Sequence, residues 1–204
     1  MRMKRGFTLI EVLVTLLILV FGLLGIAALM AKGQRAAYEA YQRQQALALA
    51  NDMLEHVRSN PGQAVAYTAG APTTAPLGTG STLYSIALAD NCIGTNCSAA
   101  DLASYDLAMW DGLLKGYGER AGASLIGSVI AARGCIEELN QTQASCPASG
   151  VGYSYTRTLR VSVVWQGQGD TVAPSASTCG SGSYGSVATR RLVALDAMVS
   201  LPCP

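Results

Sequence analysis

From Phe7 to Ala31 the chain reads FTLIEVLVTLLILVFGLLGIAALMA, twenty-five residues with a single charge at Glu11. As a helix this run is about 37 Å long, enough to cross a hydrocarbon layer of about 30 Å. Residues 32–59 contain no proline and are rich in Ala, Leu, Gln, Glu and Arg, so the helix is expected to continue until Pro61 stops it. Ala36, Ala40, Leu47, Ala50, Leu54 and Val57 fall on one stripe, with Arg43, Asp52, Glu55 and Arg58 largely off it, which predicts a face packed on a following domain.

Beyond Asn60-Pro61-Gly62 the small residues up to Ser81, with Pro72 and Pro76, predict an irregular surface loop. Ser98-Ala99-Ala100-Asp101 has the spacing of a capping box and opens a helix to about Gly116. Leu102, Tyr105, Met109 and Leu113, with Trp110, Leu114 and Tyr117 beside them, supply its expected apolar face. Strand-like segments follow near Gly127–Leu139, Tyr153–Gln166 and Ala188–Leu201. In the middle one Tyr155, Leu159, Val161, Val163 and Trp165 alternate with Thr156, Thr158, Arg160 and Ser162. Strands bunched after helices predict an α+β fold with an antiparallel sheet whose inner face the long helix covers.

Composition narrows the function. Half of the residues are hydrophobic and 13 % are charged, which excludes a disordered chain. A net charge of +1 gives no long-range field for nucleic acid or anionic lipid. The one histidine, His56, is expected to be solvated or facing the end of its helix, and it leaves few metal sites or catalytic triads open. No cofactor is expected. Arg2, Lys4 and Arg5 ahead of the apolar run favour a cytoplasmic N-terminus and an exported C-terminal part. A cleavable secretory signal has a shorter apolar core than this one. A plain anchor accounts for the length but not for Glu11, a carboxylate that costs a few kcal/mol in lipid unless it snorkels or finds a partner.

Lys4-Arg5-Gly6-Phe7-Thr8-Leu9-Ile10-Glu11-Val12-Leu13 resembles the class III signal of type IV pilins and pseudopilins. That resemblance implies removal of a leader, residues 1–6, by a prepilin peptidase that cuts between Gly6 and Phe7 and methylates the new Phe7 amine. It implies that Glu11 neutralises that amine during subunit docking, an opposite-charge pairing that relieves the burial cost of both groups. Residues 7–31 become the membrane and assembly helix, 32–60 its amphipathic continuation and 61–204 a periplasmic head. The helix lacks the family's frequent mid-helix proline, and Gly22 and Gly25 are its expected soft points.

The stretches Leu49–Pro61, Asn91-Cys92 to Cys97, Asp101–Leu107 with Trp110, and Val163–Gly167 are similar to those of PilV-type minor pilins, the type IV pilus modification proteins. The subfamily implies a non-enzymatic subunit that helps to prime pilus assembly at the tip, supporting adhesion and twitching motility. Its partners would be other minor and major pilins, the prepilin peptidase, the inner membrane and a tip adhesin. The head would lie in the periplasm before assembly and outside the cell after it. A type II secretion pseudopilin and a DNA-binding competence pilin are the alternatives, the second disfavoured by seven basic against nine acidic residues in the head.

In an exported head Cys92, Cys97, Cys135, Cys146, Cys179 and Cys203 are disulfide candidates with fifteen connectivities. Nearest-neighbour pairing, 92–97, 135–146 and 179–203, is the expectation. Zinc competes poorly, because no C-x-x-C pair and no head histidine exist. Gly180–Gly185 satisfies the letters G-x-G-x-x-G but neither follows a strand nor opens a helix, and reads as a flexible loop. Asp106, Asp111, Glu137 and Glu138 are expected to be solvated. Arg190 and Arg191 should point in opposite directions on a strand.

Overall fold

The computed structural model describes residues 6, 8–83, 92, 96–118, 120–121, 124–125, 129–143 and 153–202. The chain divides into two units, Met1–Ala40 and Tyr41–Pro204. Helix α1, Leu9–Ser59, runs through both. In the first unit every side chain of α1 up to Tyr38 is exposed, including Leu9, Ile10, Phe21 and Leu29. Among the described residues α1 is the helix long and apolar enough to cross a membrane.

In the second unit α1 turns amphipathic. Gln42, Ala46, Ala50, Met53, Leu54 and Val57 are buried, a stripe at steps of three and four. The expected stripe was partly misplaced: Ala36, Ala40 and Leu47 are exposed. Small side chains at 46 and 50 let the helix backbone approach its neighbours, and the larger Leu47 faces outward instead. Gln42 joins the buried face because its Oε1 accepts the Ile130 N–H at 3.3 Å. Pro61 ends the helix as expected and opens a 3₁₀ turn, Pro61–Gln63.

The next stretch is more ordered than a surface loop. It forms α2, Ala64–Gly70, and a two-residue strand β1, Leu77–Gly78, and it buries Ala64, Tyr67, Ala71 and Leu77. Helix α3, Ala99–Leu114, begins at the capping box that Ser98 and Asp101 form. It ends in a Schellman motif, with Gly116 N–H on the Leu113 carbonyl and Tyr117 N–H on the Gly112 carbonyl. Gly116 takes the left-handed position, φ 85°, that this motif requires.

The buried face of α3 is Ala103, Asp106, Leu107, Trp110, Asp111 and Leu114. It is rotated from the expected one, so Leu102 is exposed and Tyr105, Met109 and Leu113 are half-buried. Trp110 is 1 % exposed, and its Nε1–H donates to the Leu49 carbonyl of α1 at 2.9 Å. Its ring lies where a Cβ on Gly134 would have to stand, so a strand glycine makes room for the largest core side chain.

After a short hairpin of β2, Arg120–Ala121, and β3, Ser124–Leu125, come three long strands: β4, Arg133–Gln143, β5, Tyr153–Gln166, and β6, Arg190–Pro202. With β1 they form an antiparallel sheet in the order β1-β4-β5-β6. Ile136, Leu159, Val161, Val163, Trp165, Val193, Ala197 and Val199 join α1, α2 and α3 in the main core. Each such side chain contributes about 1.5–3 kcal/mol by leaving water. The other face carries a smaller cluster of Cys135, Val164, Cys179 and Tyr184, capped by residues 167–189, a strap between β5 and β6. The fold is α+β, as the sequence pattern led us to expect.

Candidate assembly segment and the polar supports of the head

Three described residues build the N-terminal segment. Gly6 is exposed and Thr8 caps α1: its hydroxyl oxygen accepts the Glu11 N–H at 3.4 Å, and its carbonyl accepts the N–H groups of Glu11 and Val12. Glu11 stands exposed in the first turn, the favourable end of the helix dipole for an acid. Thr8-x-x-Glu11 has capping-box spacing, a signal overlooked while the run was read for its apolar length alone. Phe7, the other residue of the expected cleavage site, lies outside the described residues. Around Glu11 the apolar side chains of α1 are exposed on all sides, so among the described residues of the first unit this segment is an apolar surface.

The polar groups of the head are structural supports. Asp106 and Asp111, expected in solvent, are 4 % and 0 % exposed. Asp106 accepts the Tyr67 hydroxyl at 2.5 Å through Oδ2, and its Oδ1 lies 3.2 Å from His56 Nδ1. The hydrogen bond to Asp106 holds the His56 pKa above its ordinary value, against a smaller opposing effect of burial, with Asp52 at 4.0 Å adding to the upward pull. His56 is therefore a half-exposed brace from α1 to α3 rather than a lone solvated imidazole. Burial, and then the bond to Asp106, push the Tyr67 hydroxyl far above the usual tyrosine range. Asp111 accepts the Gly78 N–H at 2.6 Å and Lys115 Nζ at 2.5 Å. Both acids are affordable in the core because donors meet their oxygens.

Arginines hold the strap. Arg190, 6 % exposed, donates to the carbonyls of Pro174, Ser177 and Cys179. Arg191, on the opposite face of β6, donates to the carbonyls of Gly169 and Ala188. Arg160 grips Asp196 with two bonds, 2.7 and 2.8 Å, and also donates to the Ala176 carbonyl. The Asp196 carboxyl pKa is lowered first by that arginine's hydrogen bonds. Burial pushes the Tyr184 hydroxyl up to about 12, and its O–H reaches the carbonyls of Ala131 and Val164. The Gly180–Gly185 loop is thus anchored to the sheet through Tyr184. Glu138 pairs with Arg157, and Glu137 is half-buried.

Cys92 bonds to Cys97, and Cys135 bonds to Cys179. The second bridge corrects the expected 135–146 and 179–203 pairs: the strap folds back over the sheet and brings Cys179 onto β4. Cys146 and Cys203 lie outside the described residues. Among the described residues no three His, Cys, Asp or Glu side chains gather as a metal would need. The bonded basic side chains of the head, Lys115, Arg133, Arg157, Arg160, Arg190 and Arg191, are all turned to partners within it.

An exposed glycine, an acid in the first turn of α1 and an apolar helical segment long enough to cross a membrane thus precede the α+β head. Residues 1–27 match the prokaryotic N-terminal methylation motif, and residues 28–108 match the family described as type IV pilin Tt1218. The two matches adjoin over residues 1–108, where the chain is similar to the type IV pilins. It is anchored in the inner membrane before it enters the pilus. No curated protein and no solved structure matches the chain.

Proposed function

We propose that this pilin is a minor subunit of PilV type, cut between Gly6 and Phe7, methylated at Phe7, and used with other minor and major pilins to prime the pilus at its tip. Adhesion and twitching motility follow from that place, and the chain itself catalyses nothing. The observation that carries this reading is Glu11, exposed in the first turn of an uncovered apolar helix and inside the methylation motif. In a bundle of such helices its carboxylate answers the Phe7 amine of a neighbour. Losing that partner leaves an unpaired charge, a cost on the order of 3–5 kcal/mol where water is excluded.

A DNA-binding competence pilin is disfavoured by the inward use of the head's bonded cations. A secretion pseudopilin shares the N-terminal logic and is the second reading. The test compares wild type with Glu11→Ala in one strain, reading processed protein in sheared pili against the membrane pool. Both forms should be cut after Gly6, and the variant should be depleted from pili. Equal recovery removes the docking role, and wild-type protein absent from pili but needed for secretion moves the assignment to the pseudopilins.

A further inference from the structure

We propose that Lys32 and Arg35 form a collar that binds anionic phospholipid headgroups of the outer leaflet of the inner membrane and fixes the resting depth of α1. The orientation, head outward, rests on the pilin reading. Glu11 and Lys32 bracket Val12–Ala31, twenty residues without a charge. At about 1.5 Å per residue this stretch is about 30 Å long, the thickness of the hydrocarbon layer. Glu11 then rests at the inner headgroup level and Lys32 at the outer one, so before assembly neither charge is buried in lipid.

Lys32 and Arg35 are both exposed and three residues apart, neighbours on one side of the helix. Arg35 stands roughly 6 Å beyond the apolar run, within a headgroup layer about 5–7 Å deep. Tyr38, 40 % exposed, follows one turn later, a residue type suited to the membrane surface. Glu39, one turn from Arg35, falls about 12 Å out and past the phosphates. The attraction is local, which is why a net charge of +1 does not preclude it. Leader removal takes away Arg2, Lys4 and Arg5 and leaves Lys32 and Arg35 as the basic side chains flanking the span. Cleavage therefore moves the electrostatic grip from the cytoplasmic leaflet to the leaflet through which the subunit leaves.

The experiment uses mature full-length protein in vesicles of phosphatidylcholine and phosphatidylglycerol, with a spin label on one lipid or the other. Electron paramagnetic resonance reads the lipid fraction immobilised at the protein. Wild type should prefer phosphatidylglycerol about fivefold, the value of a single cation near an anionic surface, and salt should weaken the preference. Lys32→Gln with Arg35→Gln should bring the two lipids to parity, whereas Arg43→Gln, a further two turns along α1, should leave the preference intact. Inorganic phosphate at millimolar concentration should not compete, because the site is the lipid surface. No preference in wild type, or an undiminished one in the double variant, overturns the collar. The vesicles contain no other pilin, so failure here is separate from failure of the assembly role.

Discussion

Between Leu9 and Tyr38 every side chain of α1 is exposed, whereas between Gln42 and Val57 six are buried against the head. The backbone is the same proline-free helix throughout, yet its two regions answer to different solvents. In the first, the backbone satisfies its own hydrogen bonds and leaves an apolar surface for lipid or for other helices. In the second, small residues at 46 and 50 bring the helix onto the core, and tertiary contacts stabilise it. Substitutions in the second region and the head should therefore change folding, and substitutions in the first should change assembly.

The harshest test of that division is Trp110→Ala, which removes the largest core side chain and its bond to α1. It should cost about 3–5 kcal/mol in denaturant unfolding of the detergent-solubilised chain, followed through Trp165. A loss under about 1 kcal/mol would mean that α1 and α3 are not held together there. Cys135→Ala with Cys179→Ala opens a crosslink between residues 44 apart in sequence and should cost up to about 4 kcal/mol on the chain-entropy account, read in the same assay without reductant. Asp106→Asn weakens the links to Tyr67 and His56, for about 1–3 kcal/mol.

A smaller effect comes from pH. His56 has its pKa raised in the folded chain, so its contribution is complete below the unfolded value of about 6.5 and is lost as pH rises through the folded value. Solvent screening limits it to a fraction of a kcal/mol. Unfolding midpoints should fall slightly across that window in wild type and stay level in His56→Gln; parallel slopes would assign the titration elsewhere. Glu11→Ala should leave the head's midpoint unchanged while depleting the subunit from pili, and a shifted midpoint would tie the two regions together.

Signals carried by neighbouring residues were legible in the sequence. The proline stop at Pro61, the Ser98–Asp101 cap and the alternation of β5 each involve groups a few residues apart. What escaped depends on distant partners. Asp106 and Asp111 read as solvated because the groups that make their burial tolerable, Tyr67 and Gly78, lie 39 and 33 residues away. The α3 face was rotated for the same reason, since polar aspartates were assigned outward. In α1, alanines at several spacings gave more than one plausible stripe, and only the close approach of packed elements chose 46 and 50. Sequence spacing favoured Cys135–Cys146, but the strap crossing the sheet decided for Cys179.

The strap owes its shape to the Cys135–Cys179 bond and to guanidinium groups holding main-chain carbonyls, and neither interaction is undone by ordinary changes of acidity, since arginine keeps its proton. A filament beyond the cell surface meets whatever water surrounds it, with no chaperone to refold a worn subunit. Weather of that kind can reach the His56 brace and leave the clasp on the opposite side of the sheet shut.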